Sequence, residues 1–265
     1  MRHLFAAMIF ALSSIAAALA QTAPSPAALK DLAPTGKLRA AINFGNPVLA
    51  QKGPNGEPKG VSAELATGLA KALGVPLDYV KFEAAGKVFE ALAKGEVDVG
   101  FIAIEPKRAA EVTFSPPYVI IEGTYMVRQD SPLKTVEDVD KPGIKIAVGL
   151  GSVYDLYLTR TLKHATLVHA KVGGASAGIP IFLEQKLDAA AGVREALDAY
   201  AKDHPDMRVM TGAFEEIRQA MGTQKDKPAG AAYVRAFVEA VKANGMVADA
   251  LKRSGQKAPV APKEM

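Results

Sequence analysis

The 265-residue sequence has no cysteine and no tryptophan, four histidines and 6% aromatic residues. Without cysteine there is no disulfide framework and no site for a lipid anchor on a thiol. His3, His164, His169 and His204 show no metal-ligand spacing such as HExxH. Neither a GxSxG elbow nor a phosphate-cradling glycine loop occurs, and no internal repeat has a solenoid period. Charge of one sign is also scarce. The formal net charge is +4, with lysine and arginine scattered rather than clustered, so nucleic acid is not indicated. That balance supports only a mild attraction for anions.

One long apolar run is present, at the start. Arg2 and His3 precede Leu4 to Leu19, and Ala18-Leu19-Ala20 is a small-x-small cleavage site. This is the pattern of a secretory signal peptide cleaved after Ala20, and the run is short for a membrane span. The expected product is a soluble exported protein. Its 49% apolar composition is ample for a packed core, in one large domain or two smaller ones.

Along the remainder, short apolar strands alternate with amphipathic helices, which predicts an α/β fold. Lys37 to Ile42 reads as a first strand and Asn43 to Pro47 as a loop at its carboxyl end. Pro54-Asn55-Gly56 is a turn. Ser62 to Leu73 is a helix with Leu65, Leu69 and Leu73 in one stripe, ended by Gly74. Pro76 to Phe82 is a strand, Lys87 to Ala93 a helix, and Val97 to Ile104 a buried strand. Ala109 to Val112 reads as a helical turn. Val119 to Val127 and Ile217 to Thr223 are further strands, Lys145 to Val148 another. Ser152 and Asp155 have capping-box spacing at the start of a helix. Pro228 to Ala243 and Met246 to Arg253 form a closing helix pair split by Asn244-Gly245. The Pro- and Lys-rich tail after Gly255 should fray.

The most informative stretch is Arg108 to Tyr118, RAAEVTFSPPY, directly after the buried strand. An arginine there aims a planar fork of donors, suited to a carboxylate, from the edge of the core. The ordinary alternative is a surface arginine paired with Glu105 or Glu111. Gly95-Glu96-Val97-Asp98-Val99, Arg108 and Phe114-Ser115-Pro116-Pro117-Tyr118, in that order, resemble the pattern of the family 3 bacterial extracellular solute-binding proteins. Residues from Gly36 to Gly255 follow the family's order of motifs. The resemblance implies a two-lobed periplasmic binding protein fold of type II, with ligand in the inter-lobe cleft. It implies one lobe from residues 36–124 and 222–257, and a second from 125–221. It further implies a monomer in the periplasm, a small anionic or amino-acid-like ligand, the membrane permease of an ABC importer as partner, and no cofactor.

By the same resemblance Arg108 binds the ligand carboxylate from an open cleft, helped by the backbone at Ala103 and the helix start at Ser152. Phe44, Asn46, Gly86 and Tyr154 are the other cleft candidates. Two positions depart from the family pattern. Ala103, five residues before Arg108, stands where a serine or threonine is usual. Val193, five residues after Asp188, stands where an acid usually holds the ligand's amino group, and Arg194 follows it. A buried ammonium without an acid is costly. The expected ligand is therefore a small organic anion, or an amino acid held in another way. The runner-up is an enzyme on the same fold, similar to secreted cyclohexadienyl dehydratases, with Glu64, Glu83 or Glu184 as its acid.

Overall fold

Two sets of parallel strands, each covered by helices, are joined through two long antiparallel strands in the computed structural model, which describes residues 23–264. The proposed signal peptide lies outside the described residues. Helix α1 (Pro26–Leu32) is capped by Ser25, whose Oγ accepts from Ala28 N. Strand β1 (Leu38–Asn43) follows, then the short hairpin β2 (Gln51–Lys52) and β3 (Pro58–Lys59) around the expected turn.

Helix α2 (Val61–Leu73) buries the Leu65, Leu69 and Leu73 stripe against Leu38, Ala40 and Ile42 of β1. It ends at Gly74, which is left-handed at φ +69 and so costs least as glycine. Strand β4 (Leu77–Phe82) pairs parallel with β1. Helix α3 (Ala85–Ala93) covers the opposite face, where Val88, Ala91 and Leu92 meet Ala41. Strand β5 (Val99–Ala103) is wholly buried. A Cβ on its Gly100 would lie 2.6 Å from Leu92 Cδ1, so glycine there allows α3 to approach.

The helical turn expected at Ala109 to Val112 is earlier, as α4 (Pro106–Ala109). Glu105 supplies the cap by accepting from Arg108 N at 3.1 Å, and Pro106 suits the first helical position. Strand β6 (Val112–Phe114) takes the residues left over. Strand β7 (Val119–Arg128) is ten residues long. The second parallel set comes from β8 (Lys145–Gly149), α5 (Val153–Thr161), β9 (Thr166–Ala170), α6 (Ile179–Glu184), β10 (Ala189–Val193) and α7 (Arg194–Lys202). Strand β11 (Met207–Val209) adds to the edge of β7, and β12 (Glu215–Gln224) returns to the first set. Helices α8 (Pro228–Ala243) and α9 (Met246–Arg253) close the chain.

The strand order is β4-β1-β5-β12-β7-β10-β8-β9. The outer three at each end are parallel, and β12 and β7 are antiparallel to each other and to their neighbours. The two ends therefore mirror one another across the β7–β12 pair. Carboxyl ends of parallel strands are where α/β proteins place ligands. Here the two sets turn those ends toward each other. Among the described residues no helix is long and apolar enough to cross a membrane.

The tail is not frayed as expected. Val260 bridges Val119, Ile120 N donates to Pro259 O at 3.0 Å, and Ala261 N donates to Tyr118 O at 3.0 Å. Ala258 and Ala261 are buried. The unpaired start of β7 gives the tail a ladder partner, which its proline content does not preclude on an edge. Deleting residues 257–265 should cost about 2 kcal/mol in lost backbone bonds and apolar burial. That corresponds to a melting temperature lower by roughly 4–8 °C. Thermal denaturation of the truncated chain measures it, and an unchanged midpoint would mean that the tail contributes nothing to folding.

Candidate functional site

Four strand ends converge on one cavity. Asn43 ends β1, Ala103 ends β5, the Gly149–Ser152 turn follows β8, and Val193 ends β10. The cavity is lined by these ends together with Gly45, Asn46, Ala85, Arg108, Val153, Tyr154, Gly174, Ala175 and Gln219, with Ile102 beneath. Its volume is ≈ 30 Å³, about enough for one or two waters.

Arg108 is the cationic group in this wall and is 1% exposed, rather than lying in an open cleft. Its Nη1 donates to Ala103 O at 3.2 Å and its Nη2 to Gly151 O at 3.0 Å. One acceptor belongs to the first strand set and the other to the second. Burial lowers the guanidinium to about 10, and the nearby carboxylates of Glu105 and Glu215 oppose that fall. It stays charged at neutral pH. Neither Glu105 nor Glu111 pairs with the guanidinium as a surface reading would have it. The Glu105 carboxylate instead takes the backbone N–H of Arg108 with one oxygen and Arg160 of α5 with the other. Glu105 is 1% exposed and so fixes both the α4 turn and a bond across the halves.

Two more contacts close the halves. Ala175 N donates to Gly45 O at 2.6 Å. Gly86 faces Gly151, where a Cβ on Gly86 would stand 3.5 Å from Gly151 O. Gly86 thus sits at the contact of the halves, while its neighbour Ala85 lines the cavity.

The turn before α5 is built by two side chains. Ser152 Oγ accepts from Asp155 N at 3.1 Å, which is the expected cap. The Asp155 carboxylate does not return to the Ser152 backbone as a capping box would. It accepts from Gly151 N at 2.8 Å and lies 2.8 Å from His169 Nε2. Gly151 is left-handed at φ +70, which turns its N–H toward Asp155 and its carbonyl toward Arg108. Tyr154 donates its hydroxyl to Gly174 O, and burial raises the phenol's pKa.

Of the residues singled out in the sequence, Arg108, Ser152, Ala103, Asn46, Tyr154 and Val193 lie on the cavity wall. Phe44 does not. It packs against the core with Lys52 Nζ 5.2 Å from its ring centroid. Arg194 is also elsewhere, bonded to Glu122 and to the carbonyls of Met210 and Gly212. Sequence reasoning missed Asn43, Gln219 and the Gly174-Ala175 pair. Gln219 had a signal, a polar residue alternating with Ile217 and Met221 on the buried face of its strand. Among the described residues no carboxylate or histidine lines the cavity.

These features define a protein of the type II binding-protein class, with two α/β halves and a cavity between them. Residues 38–256 match the model for bacterial extracellular solute-binding proteins, family 3, and the chain belongs to that family. It is 24% identical over 211 residues to a glutamine-binding protein of Geobacillus stearothermophilus, covering 78% of this chain and 79% of that one. A mutant of ArgBP from T. maritima superposes with a TM-score of 0.73 at 21% identity, covering 86% of this chain and 99% of that one. An ancestral amino acid-binding protein, a precursor of cyclohexadienyl dehydratase, gives 0.71 at 25% identity, covering 86% and 99%.

Glu215 of β12 stands beside this site. One of its carboxylate oxygens is buried without a hydrogen-bond partner among the described residues. Burial raises it to about 7. Glu105 adds to the rise, and Arg160 and Arg108 oppose it. An acid raised on folding stabilises the fold below its unfolded pKa and loses that contribution as pH rises through its folded value. The melting temperature should therefore fall as pH rises from 5 to 8. In Glu215→Gln that part of the fall should vanish. Parallel melting curves for both proteins across this range would show instead that Glu215 titrates normally.

Proposed function

We propose that the chain is a periplasmic receptor that closes around a small carboxylate and delivers it to the permease of an ABC importer. Family membership supports the receptor role, and the export pattern of residues 1–20 supports the compartment. The carrying observation is a buried guanidinium on a cavity wall that has no acid among the described residues. A carboxylate would exchange places with the carbonyl acceptors of Arg108 and gain a bidentate partner. An α-ammonium would find no counter-charge at Val193, the position where the family resemblance calls for one. Amino acids are thus expected to be poorer ligands than matching acids without the amino group. The relatives named for amino acids share the fold, and their ligands do not transfer at this level of identity.

Entry requires motion, because the cavity is too small to admit a ligand past the closed contacts. In this reading residues 36–124 and 222–257 form one lobe and 125–221 the other, joined by β7 and β12. These two strands would bend while each parallel set moves as a unit. The enzyme alternative gains no support from the acids considered for it. Glu64 pairs with Arg253, Glu83 with Lys52, and Glu184 is exposed on α6.

Two measurements test the proposal. Arg108→Ala should weaken carboxylate binding roughly tens- to thousands-fold, as expected for loss of a desolvated charge partner. Arg108→Lys should fail nearly as badly, because lysine keeps the charge but not the fork. Calorimetry on both variants decides this, and wild-type affinity in Arg108→Ala would reject the role. Small-angle scattering should show a smaller radius of gyration with saturating ligand. An unchanged radius would reject hinge closure.

A further inference from the structure

The cavity wall holds three primary amides whose nitrogens have no hydrogen-bond acceptor among the described residues. Asn43 is 6% exposed, Asn46 7% and Gln219 3%. The orientation of the first two is fixed by the backbone. Asn43 Oδ1 accepts from Gly45 N at 3.0 Å and Asn46 Oδ1 accepts from Val48 N at 3.2 Å. Each oxygen is therefore occupied by its own turn, and each Nδ2 faces away from it. Gln219 enters no side-chain hydrogen bond, although its neighbours in β12 are fully laddered. None of the three side-chain nitrogens is a fully buried atom without a partner, so each reaches open space, where an acceptor can take it. All three lie on the cavity with Arg108.

Their chemistry is one-sided. With one bond already accepted by each asparagine oxygen, Asn43 and Asn46 offer chiefly their N–H donors. Gln219 adds two donors and one acceptor. No acid stands among them to attract a cation. Donors outnumber acceptors there, which favours a bound group that accepts hydrogen bonds through oxygen.

We propose that Asn43, Asn46 and Gln219 form a neutral donor subsite for a second oxygen acceptor, so that the ligand is a short carboxylic acid bearing a keto or second carboxyl group. This rests on the receptor reading and deepens it. Arg108 takes the first carboxylate, and the amides discriminate among acids that share it. A plain aliphatic acid would leave the amides unpaired, and an amino acid would set an ammonium among donors with Gln219 Oε1 as its main neutral acceptor. Both are disfavoured for reasons of hydrogen-bond pairing rather than size.

Titration calorimetry with butyrate, 2-oxobutyrate, succinate, 2-oxoglutarate and 2-aminobutyrate tests this on the mature wild-type protein and two variants. Gln219→Leu keeps the volume and removes the amide. Asn43→Asp keeps the bond to Gly45 N and replaces the donor nitrogen by an anionic acceptor. In the wild type at least one keto or dicarboxylic acid should bind roughly ten-fold or more tightly than butyrate, the worth of one or two added hydrogen bonds. Gln219→Leu should remove most of that advantage, weakening the keto and dicarboxylic acids far more than butyrate. Asn43→Asp should weaken the dicarboxylates and improve 2-aminobutyrate, which also serves if the leucine variant fails to fold. Equal affinity for butyrate and the keto and dicarboxylic acids overturns the subsite and leaves the Arg108 reading intact. So does a wild-type preference for 2-aminobutyrate, or an unchanged ranking in both folded variants. Failure of every acid to bind overturns the subsite and the receptor reading together.

Discussion

A guanidinium shared between two halves of a molecule is the constraint from which the rest follows. Arg108 belongs to the turn after β5, yet its outermost nitrogen bonds the carbonyl of Gly151 at the mouth of α5. Burying a cation is costly unless oxygen acceptors surround it. Here they come from both strand sets, so the arginine is fully served only while the halves meet. Ala103 O is local, five residues before the arginine on the same strand set. Gly151 O is the conditional partner. Its position depends on a left-handed glycine and on Asp155 holding the N–H of the same residue.

The same arginine is tied to a second cross-half contact through its own backbone. Glu105 caps the α4 turn at Arg108 N and reaches Arg160 with its other oxygen. Moving the halves apart therefore loosens one contact to the guanidinium and one to the cap that positions it. Glu215 faces this cluster from β12, one of the two strands that join the halves. Its raised carboxyl group, pressed toward neutrality by burial and by Glu105, lies where bending of β12 would change its exposure. Charge state and geometry are thus coupled at a single point, in the sense that each alters the free energy of the other.

How much of this was legible beforehand depended on the range of the signal. Helices α8 and α9 carry their boundaries in Pro228, the Asn244-Gly245 break and Gly255. Their residues 228–243 and 246–253 are those read from the sequence. The leucine stripe of α2 was equally plain. Strands β6 and β11 are three residues each, too short to show a period, and exist because β12 and β7 offer them an edge. The packed tail was misread because its composition suggests disorder while its partner, the start of β7, lies some 140 residues away. Around the site, Arg108 and Ser152 could be found from local context. The burial of Arg108, the Glu105–Arg160 bond and the placing of Gly174 and Ala175 depend on how the halves meet. Asn43 sat in plain view at a strand end, but nothing local distinguishes a cavity amide from a turn amide. Arg194 looked available for the opposite reason. The carbonyls that absorb it, at Met210 and Gly212, follow β11, a strand that sequence reading did not find.

The separation between what the fold supplies and what the side chains decide is visible in the strand ends. Parallel strands deliver Asn43, Ala103 and Val193 to one place whatever their identity, because the ladder fixes their backbone positions. Substituting the side chain at such an end alters the wall without altering the architecture. Val193 shows this most clearly. It is buried at 3%, continues the apolar run of β10 and costs the fold nothing. A carboxylate at the same point would place a negative charge on the same cavity wall as Arg108 and turn it into a two-sign site. With valine there, the guanidinium of Arg108 bonds only backbone carbonyls, and the nearest carboxylates, Glu105 and Glu215, stand off the cavity wall. On the receptor reading proposed above, recognition by this cavity would turn on supplying one negative charge and enough oxygen acceptors, rather than on matching a zwitterion.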